Sequence, residues 1–402
     1  MEFRIETYEE NLLRLTRELQ KNQLRELLFS SMMLFARRGS VIFGFLSAVL
    51  DAHNEHKPGD SFQVVHDENY TKGMTVLPDG HYTFRHSIWD PKLWHHKIEP
   101  RKIERLTTSR FAPILIDLPP RFFKIKAACG PLRKLLSLHL LQPFSASHIK
   151  AGVTRRKNGK ISSIISTGEL SSSLSQNNLT LTIDNNEKSY HFIKKVLDPR
   201  TKLDGRGWDS IDIAPKISIV TDYGNYGRPL QPPKIHELAE NAIDPAGSVS
   251  PTKVLFISQY VPIGRMLRSL NNAVRPKCDG GHGARVTVTL EPKKDYRRAE
   301  IGFRMLFWQF KRHVHHDIKT PELSKPSHIK CLIIKYSNGT MSMMFGSDNF
   351  DSTADHFYRN TELSLFIDHV RPKDDGWKII NETLNKLVAI KEITPAERAE
   401  FE

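Results

Sequence analysis

Two short segments of the chain each place a histidine and a lysine two residues apart. They are Ser147-His148-Ile149-Lys150 and Ser327-His328-Ile329-Lys330. A histidine, with an ordinary pKa near ~6.5, can attack as a neutral imidazole or donate a proton as an imidazolium at the same pH. A phosphodiester is anionic and a poor electrophile, so its cleavage needs neutralising charge, a nucleophile and a proton for the leaving group. A histidine and a lysine together could supply this charge, nucleophile and proton.

A single His-x-Lys pair is more often an exposed feature of a strand than a catalytic site, but here the pair is part of an internal repeat. The two tetrapeptides lie 180 positions apart. The same offset aligns Asn158-Gly159 with Asn338-Gly339, and 166–170 with 346–350. Three matched blocks in one register favour two copies of one structural unit, each with its own half of a site.

Each copy also predicts the same local structure around its histidine and lysine. Asn-Gly between short β-prone runs is a strong hairpin signal, so we expect paired strands at 151–156 with 161–166, and at 331–336 with 341–345. Side chains two apart in a strand share a face. The hairpin thus gathers a histidine, a lysine, a small hydroxyl residue and an amide at one place.

The repeat extends towards the N-terminal side of each hairpin, where a strand, a helix and a second strand are predicted in both copies. The pattern indicates an α/β fold of two related halves, each a mixed sheet flanked by helices, around a pseudo-two-fold axis. The expected elements are a strand at 27–33, a helix near 41–53 and a strand at 62–65 in the first copy, and 254–260, 263–273 and 284–290 in the second.

Three regions follow from this pattern. The first half is expected at 1–184, and it is 45 residues longer than the second between its last upstream strand and its hairpin. That insertion, about 70–130, is rich in basic and aromatic residues. A polar segment with several Pro and Gly residues, 185–250, suits a connector, and the second half is expected at 251–402.

The two copies of this pattern resemble the phospholipase D superfamily, in which two similar halves each supply one half of a single active site. The second copy matches the family pattern at His328, Lys330, Gly346, Ser347 and Asn349. The resemblance implies that Glu362 is the acid that orients a histidine, and within one copy that histidine is His328.

The chain departs from the family pattern in its first copy. The usual aspartate after the His-x-Lys pair is replaced by Arg155 in this copy and by Lys335 in the second. Glu169 stands where the family has an amide, and Asn178 stands where the orienting acid is expected. His148 then lacks an orienting acid and is more often neutral and free to attack. Alternatively, Glu169 turns towards His148 or Lys150 and takes over the orienting role.

The resemblance implies a division of labour in which His148 forms a phosphohistidine and His328 protonates the departing alcohol. Hydrogen bonds to the phosphate are expected from Ser347, Asn349 and Thr167. Neither a cofactor nor a metal is implied. The predicted catalytic residues are His148, Lys150, His328, Lys330, Ser347, Asn349 and Glu362, and the predicted substrate-binding residues are Thr167, Glu169, Gly346, Arg101, Lys102 and Arg105.

The preferred function is phosphatidyl transfer, resembling bacterial phosphatidylserine or cardiolipin synthases, with an anionic phospholipid and an alcohol acceptor as substrates. A formal net charge of +14 over 402 residues is equally compatible with a nucleic-acid phosphodiesterase. A non-enzymatic protein that binds phosphate-rich ligands through a degenerate first half is the third alternative.

The composition of the chain indicates where in the cell the protein acts. The acidic start of the chain does not resemble a secretory signal, and Arg37-Arg38 interrupts the apolar stretch before it is long enough to cross a bilayer. Three cysteines far apart exclude a disulfide framework and a four-thiolate zinc site. We expect a cytoplasmic protein that associates peripherally with the inner face of the membrane through basic surface. The histidines in 313–317 are expected on a solvated strand rather than around a metal.

Overall fold

The structure is a computed structural model that describes most of the chain outside the insertion. None of the helices among these residues is long and apolar enough to cross a bilayer. The described residues are 2–31, 34–35, 39–67, 74–76, 81–84, 96–97, 111–118, 121–122, 144–145, 148–171, 177–198, 207–223, 234–258, 261–290, 301–323, 327–348, 350 and 361–402.

The first half contains fourteen strands and two helices among its described residues. Thr7 caps the first helix in a reciprocal capping box with Glu10, and Ser40 caps the second. The elements are β1 (Glu2–Thr7), α1 (Tyr8–Gln20), β2 (Leu24–Ser31), β3 (Leu34–Phe35), α2 (Val41–Asn54), β4 (Ser61–Asp67), β5 (Met74–Val76), β6 (His81–Phe84), β7 (His96–Lys97), β8 (Leu115–Leu118), β9 (Arg121–Phe122), β10 (Phe144–Ser145), β11 (Ala151–Arg156), β12 (Ile161–Ser166), β13 (Leu170–Ser171) and β14 (Leu179–Asp184).

The rest of the chain adds seven strands and six helices in the part that the structure describes. They are α3 (Glu187–Leu197), β15 (Trp208–Ala214), β16 (Ile217–Tyr223), α4 (Lys234–Ile243), β17 (Pro251–Ile257), α5 (Gly264–Val274), β18 (Arg285–Val288), α6 (Ile301–His313), β19 (Cys331–Tyr336), β20 (Met341–Gly346), β21 (Thr361–Val370), α7 (Asp375–Ala389) and α8 (Pro395–Ala399).

Two seven-stranded sheets share a core of five strands in the same order. The first sheet runs β1-β14-β12-β11-β2-β4-β8, and the second runs β15-β16-β21-β20-β19-β17-β18. In both, the hairpin pairs antiparallel with its neighbours, and the strands on either side of the crossover helix (β2 and β4, β17 and β18) are parallel. The internal repeat and the α/β fold of two halves are therefore confirmed.

Both predicted hairpins are confirmed, and they close with the same turn. Gly159 and Gly339 adopt φ values of 86° and 76°, in the left-handed region that glycine occupies without steric cost. The asparagine before each glycine accepts a hydrogen bond from the backbone N–H two residues on, Lys160 in one half and Thr340 in the other. The turn fixes the register of each hairpin.

The halves meet around one apolar core that draws on both sheets. Helix α3, which follows β14, and helix α7, which follows β21, both bury residues in this core. Helix α3 contacts β15 of the second sheet, and α7 contacts β1 of the first. Because these helices occupy equivalent places in the repeat, the two halves pack as a pseudo-symmetric pair.

The segment 185–250, expected as a connector, is folded into both halves. It supplies α3 to the shared core, and it supplies the outer pair β15 and β16 to the second sheet, where β16 pairs with β21. The polar composition of this segment has a physical reason, because β15 is an edge strand whose residues alternate between exposed and partly buried positions. In the insertion, β8 extends the first sheet beside β4.

Candidate active site

The two His-x-Lys segments are extended stretches that immediately precede β11 and β19 rather than parts of those strands. Each is fixed by the opposite half of the molecule. The backbone N–H of His148 donates to the carbonyl of Thr361 at 3.0 Å, and that of His328 donates to the carbonyl of Asn177 at 2.9 Å. The pseudo-symmetry therefore brings both histidines to the interface between the halves.

Glu362 contacts His148, not His328. His148 Nδ1 lies 2.7 Å from Glu362 Oε1. The prediction that Glu362 orients the histidine of its own copy is wrong, because β21 begins next to the backbone group that holds the first histidine. The expectation that His148 has no orienting acid is wrong for the same reason. The acceptor on Nδ1 keeps the proton there and directs the lone pair of Nε2 into the site.

Ser347 fixes the carboxylate of Glu362. The serine hydroxyl donates to Glu362 Oε2 and accepts a hydrogen bond from the Leu363 N–H. Burial raises the pKa of Glu362 to about 7, although Lys150 and the Ser347 hydrogen bond act against this. In the structure the Ser347 hydroxyl contacts Glu362, and its predicted contact with the phosphate stays a prediction.

His328 is held by a backbone group and by Lys330 instead of an acid. Its Nδ1 lies 2.6 Å from the carbonyl oxygen of Thr167 in the first half. The carbonyl only accepts and favours a proton on Nδ1, whereas Lys330 Nζ, which only donates, lies 2.8 Å from Nδ1 and 3.2 Å from Nε2 and favours an unprotonated ring nitrogen. Burial, followed by the charge of Lys330, lowers the pKa of His328 well below its usual value. Burial, followed by the charge of Lys150, does the same to the pKa of His148.

The two lysines supply positive charge inside the protein. The Lys150 and Lys330 side chains are almost completely buried. Lys150 Nζ donates to the carbonyl of His148 at 3.2 Å, and Lys330 Nζ donates to the carbonyl of His328 at 2.9 Å. A buried ammonium is costly unless it is paired with an anion. The site is therefore built to hold negative charge.

Glu169 supplies negative charge at the centre of the site. Its Oε1 lies 3.2 Å from Lys150 Nζ, 3.6 Å from His148 Nε2 and 3.9 Å from His328 Nε2. Burial would raise the pKa of Glu169, but Lys150, His148 and Lys330 outweigh burial and lower it. The alternative in which Glu169 turns towards His148 and Lys150 is confirmed. The acid at His148 Nδ1, however, is Glu362.

The remaining predicted site residues divide into two groups. The Thr167 hydroxyl accepts from the Leu179 N–H, and a Cβ at Gly346 would lie 2.3 Å from the carbonyl oxygen of Leu363, so both positions serve the packing of adjacent strands. Their predicted contacts with substrate stay predictions. The others, Asn349, Arg101, Lys102 and Arg105, lie outside the described residues.

A buried histidine behind the site was missed by the sequence analysis. His236 on α4 lies with its Nε2 2.8 Å from Asp348 Oδ1, next to Ser347. Asp222 fixes the start of α4 by accepting the backbone N–H groups of Lys234 and Ile235. Asp348 stands inside the Gly-Ser-x-Asn element and could have been noted. His236 lies in the segment read as a connector and carried no sequence signal.

The histidine-rich segment 313–317 lies at the end of α6 and in the turn after it, so the expectation of a strand there is wrong. Potential ligand atoms of His315, His316 and Asp317 lie within 4.8 Å of one another. Among the described residues this is the one group of three with such spacing. It shares no residue with the paired histidines and lysines.

Comparison with solved structures supports the fold. Phosphatidylserine synthase from Haemophilus influenzae Rd KW20 matches 96% of this chain and 86% of its own, with a TM-score of 0.55 and 10% identity. Polyphosphate kinase from Porphyromonas gingivalis matches 96% of this chain with a TM-score of 0.50 and 10% identity, and this chain spans 50% of that enzyme. The sequence matches no protein-family model and no curated protein significantly. The predicted α/β fold of two related halves is confirmed.

Proposed function

We propose that the protein is a phosphatidyltransferase that cleaves and forms phosphodiester bonds of phospholipids through a phosphohistidine on His148. One observation carries this proposal. The Nε2 atoms of His148 and His328 come from opposite halves and both lie within 4 Å of the same carboxylate oxygen, between two buried lysines. Two titratable groups converging on one point, with fixed positive charge beside it, suit in-line displacement at phosphorus.

In the first step, His148 Nε2 attacks phosphorus and the bond to the leaving oxygen breaks. Attack requires a neutral imidazole, and burial together with Lys150 keeps His148 in that form. The new P–N bond places positive charge on the ring, which Glu362 stabilises through Nδ1. His148 is therefore a nucleophile because an acid supports it, not because it lacks one.

His328 performs the proton transfers. Its Nε2 delivers a proton to the departing alcohol oxygen, which otherwise leaves as a costly alkoxide. The negative charge of a bound phosphodiester favours the imidazolium that this step needs and so acts against burial and Lys330, which lower the pKa of His328. In the second step His328 takes a proton from the acceptor alcohol, which attacks phosphorus and releases His148.

The choice of a phospholipid rests on the resemblance of 323–368 to bacterial phosphatidylserine and cardiolipin synthases, and on the composition of the insertion. Residues 70–130 carry 11 Lys and Arg against 5 Asp and Glu, with aromatic residues among them. Basic and aromatic side chains together suit the surface of an anionic membrane. We place the protein in the cytoplasm, bound peripherally at the inner face of the membrane, with residues 1–184 and 251–402 forming most of its two halves and 185–250 contributing to both.

Two other functions compete with this proposal. A metal-independent nucleic-acid phosphodiesterase is favoured by the net charge of +14, which would neutralise backbone phosphates. A protein that binds phosphate groups without turnover is favoured by the degenerate first copy, in which Glu169 replaces an amide.

A substrate comparison distinguishes the three functions. The protein is incubated with labelled phosphatidylglycerol or CDP-diacylglycerol in vesicles, with and without an acceptor alcohol, and in parallel with a labelled oligonucleotide. Phosphatidyl transfer to the alcohol supports the proposal. Cleavage of the oligonucleotide alone would identify the nuclease, and binding without turnover or histidine labelling would identify the binding protein.

The role of the insertion is tested by exchanging Arg101, Lys102 and Arg105 for serine. Each basic group near an anionic surface contributes about 1 kcal/mol, so co-sedimentation with anionic vesicles should weaken strongly. Unchanged vesicle binding together with weaker DNA binding would favour the nuclease. The matched control exchanges three exposed lysines of the folded halves for serine, namely Lys57, Lys160 and Lys373.

A further inference from the structure

The carboxylate of Glu169 borders the place that a phosphoryl group would occupy. Reacting atoms must approach to about 3–3.5 Å, so a phosphodiester whose phosphorus is attacked by His148 and whose leaving oxygen is protonated by His328 lies between their Nε2 atoms. Glu169 Oε1 is 3.6 Å from one of these atoms and 3.9 Å from the other. An oxygen of the bound phosphate would therefore lie next to this carboxylate oxygen.

The internal repeat shows what is unusual about this position. Glu169 aligns with Asn349 of the second copy at the offset of 180. An amide in this place can donate a hydrogen bond to a phosphate oxygen, but a carboxylate only accepts and repels the phosphate. A neutral carboxyl group regains a donor, so one proton turns Glu169 into a functional counterpart of an asparagine.

Glu169 is buried among the histidines and lysines of the candidate site. Its side chain is 1% exposed, and its Oε1 forms an ion pair with Lys150 Nζ at 3.2 Å, while Oε2 has no hydrogen-bond partner among the described residues. Lys150 and His148 face Glu169 from the segment before β11, and Lys330 and His328 face it from the segment before β19. On α1, burial and then the charge of Glu169 raise the pKa of Tyr8. The carboxylate of Glu169 therefore balances the buried positive charge that a bound phosphate would otherwise balance.

We propose that Glu169 is the group through which substrate binding takes up a proton. In the empty site its carboxylate neutralises the lysines. When a phosphodiester monoanion enters, a proton from solvent binds Glu169, and the neutral carboxyl group donates a hydrogen bond to a phosphate oxygen. The proton returns to solvent when the product leaves. This inference rests on the proposed function, because it takes a phosphodiester as the ligand.

A count of the buried charges supports proton uptake by Glu169 when the phosphodiester binds. With Glu169 and Glu362 ionised and both histidines neutral, Lys150 and Lys330 are balanced, and an entering anion leaves a net negative charge that a proton on Glu169 or on His328 can cancel. Comparison of wild type with Glu169→Gln separates these two sites. With Glu169 protonated, the same anion restores neutrality. Two unit charges about 4 Å apart interact by about 4 kcal/mol at an effective dielectric constant of about 20, so a bound anion raises the pKa of Glu169 and favours its protonated form.

The test uses dimethyl phosphate, which is a monoanion throughout the range studied. Its affinity is measured from pH 5 to 8 by phosphorus NMR titration, and proton uptake is measured by calorimetry in buffers of different ionisation enthalpy. We expect the wild-type protein to take up about one proton more than Glu169→Gln on binding. Between pH 6 and 8 its affinity should fall at least about tenfold more than that of the variant, since one linked proton changes affinity up to tenfold per pH unit.

Two further variants keep the test interpretable. Glu169→Asp retains the carboxyl group and should retain the extra proton even if its affinity changes. Glu382→Gln removes an exposed acid on α7 and should behave as wild type. Thermal unfolding of all variants checks that each is folded.

Equal proton uptake by wild type and Glu169→Gln, or parallel affinity profiles, would overturn the proposal. Binding by the variant with no binding by wild type at any pH would also overturn it, because Glu169 would then block the site instead of titrating. Failure of the proposed function looks different, since wild type and Glu169→Gln would then form no phosphohistidine with any diester. The inference alone fails if wild type turns over a diester while both proteins take up equal numbers of protons.

Discussion

Replacing Glu362 with glutamine removes the charge behind His148 while keeping the shape of the side chain. In the wild-type protein, Glu362 Oε1 accepts from His148 Nδ1 at 2.7 Å, and Ser347 donates to the other oxygen. A glutamine has one oxygen and one NH₂ group for these two contacts. If the NH₂ group faces His148, the ring must carry its proton on Nε2, and the nucleophilic lone pair is lost.

The magnitude follows from the positive charge that develops on His148 as the P–N bond forms. A carboxylate about 4 Å from the centre of that charge contributes about 4 kcal/mol at an effective dielectric constant of about 20. Since 1.36 kcal/mol corresponds to a factor of ten in rate, the variant should form the phosphohistidine about 10³-fold more slowly. Burial raises the pKa of Glu362 to about 7, so the difference should be larger at pH 8 than at pH 6.

The assay is a single turnover with a radiolabelled phospholipid, quenched rapidly in base and analysed for label on histidine. Glu382→Gln on the exposed side of α7 is the matched control and should keep the wild-type rate. A Glu362→Gln rate within threefold of wild type at pH 8 would refute the role of this acid. A loss that is equal at pH 6 and 8 would show that Glu362 supports the fold of the site and not its charge.

Three other outcomes are expected. His328→Ala should slow release of an alkyl alcohol by several orders of magnitude but affect a p-nitrophenyl phosphodiester little, because nitrophenolate leaves without a proton; equal losses would exclude general acid catalysis. Burial raises the pKa of Glu392 from 4.5 to about 7, so the folded state holds its proton more tightly and stability falls as pH rises between these values. Urea unfolding should show Glu392→Gln gaining about 3 kcal/mol over wild type by pH 8, and no gain would contradict the burial argument. Activity should survive excess EDTA, because the site neutralises phosphate with Lys150 and Lys330; loss of turnover restored by one particular metal ion would contradict the mechanism.

The sequence predicted the local units of the fold well. The Asn-Gly turns determined the register of both hairpins, because glycine provides the left-handed conformation that the turn needs. The upstream strand, helix and strand of each copy were found from apolar patterns. Strand β15 was missed because an edge strand with one exposed face carries little apolar signal. Strand β16 was missed although it is buried and paired on both sides, because its short run lies in a segment whose overall composition is polar.

The components of the site were predicted, but their pairing was not. A repeat aligns Glu362 with the histidine of its own copy, whereas the structure places it on His148. The difference comes from the packing of the two halves, in which the start of β21 meets the segment before β11. The pattern of one copy cannot predict this contact, because the two residues belong to different halves. The contact between the Thr167 carbonyl and His328 also joins the two halves and was not predicted for the same reason.

For Glu169, in contrast, the sequence already indicated an unusual residue. Its sequence position marked it as a departure from the repeat, and the structure gives that departure a place between the two histidines. The sequence could indicate a charge where an amide was expected. The distances from Glu169 to both Nε2 atoms were needed to show that this carboxylate lies between the two histidines, beside the proposed position of the phosphate.

The central claim is that His148 is the nucleophile because Glu362, from the other half, supports it. The measurement is a rapid base quench of the protein with phospholipid labelled at phosphorus, followed by mapping of the base-stable labelled peptide. We predict label on the peptide that contains His148, and loss of that label in His148→Ala. Label on the peptide that contains His328 would reverse the roles of the two histidines, and turnover without label on either would require direct displacement instead of a covalent intermediate.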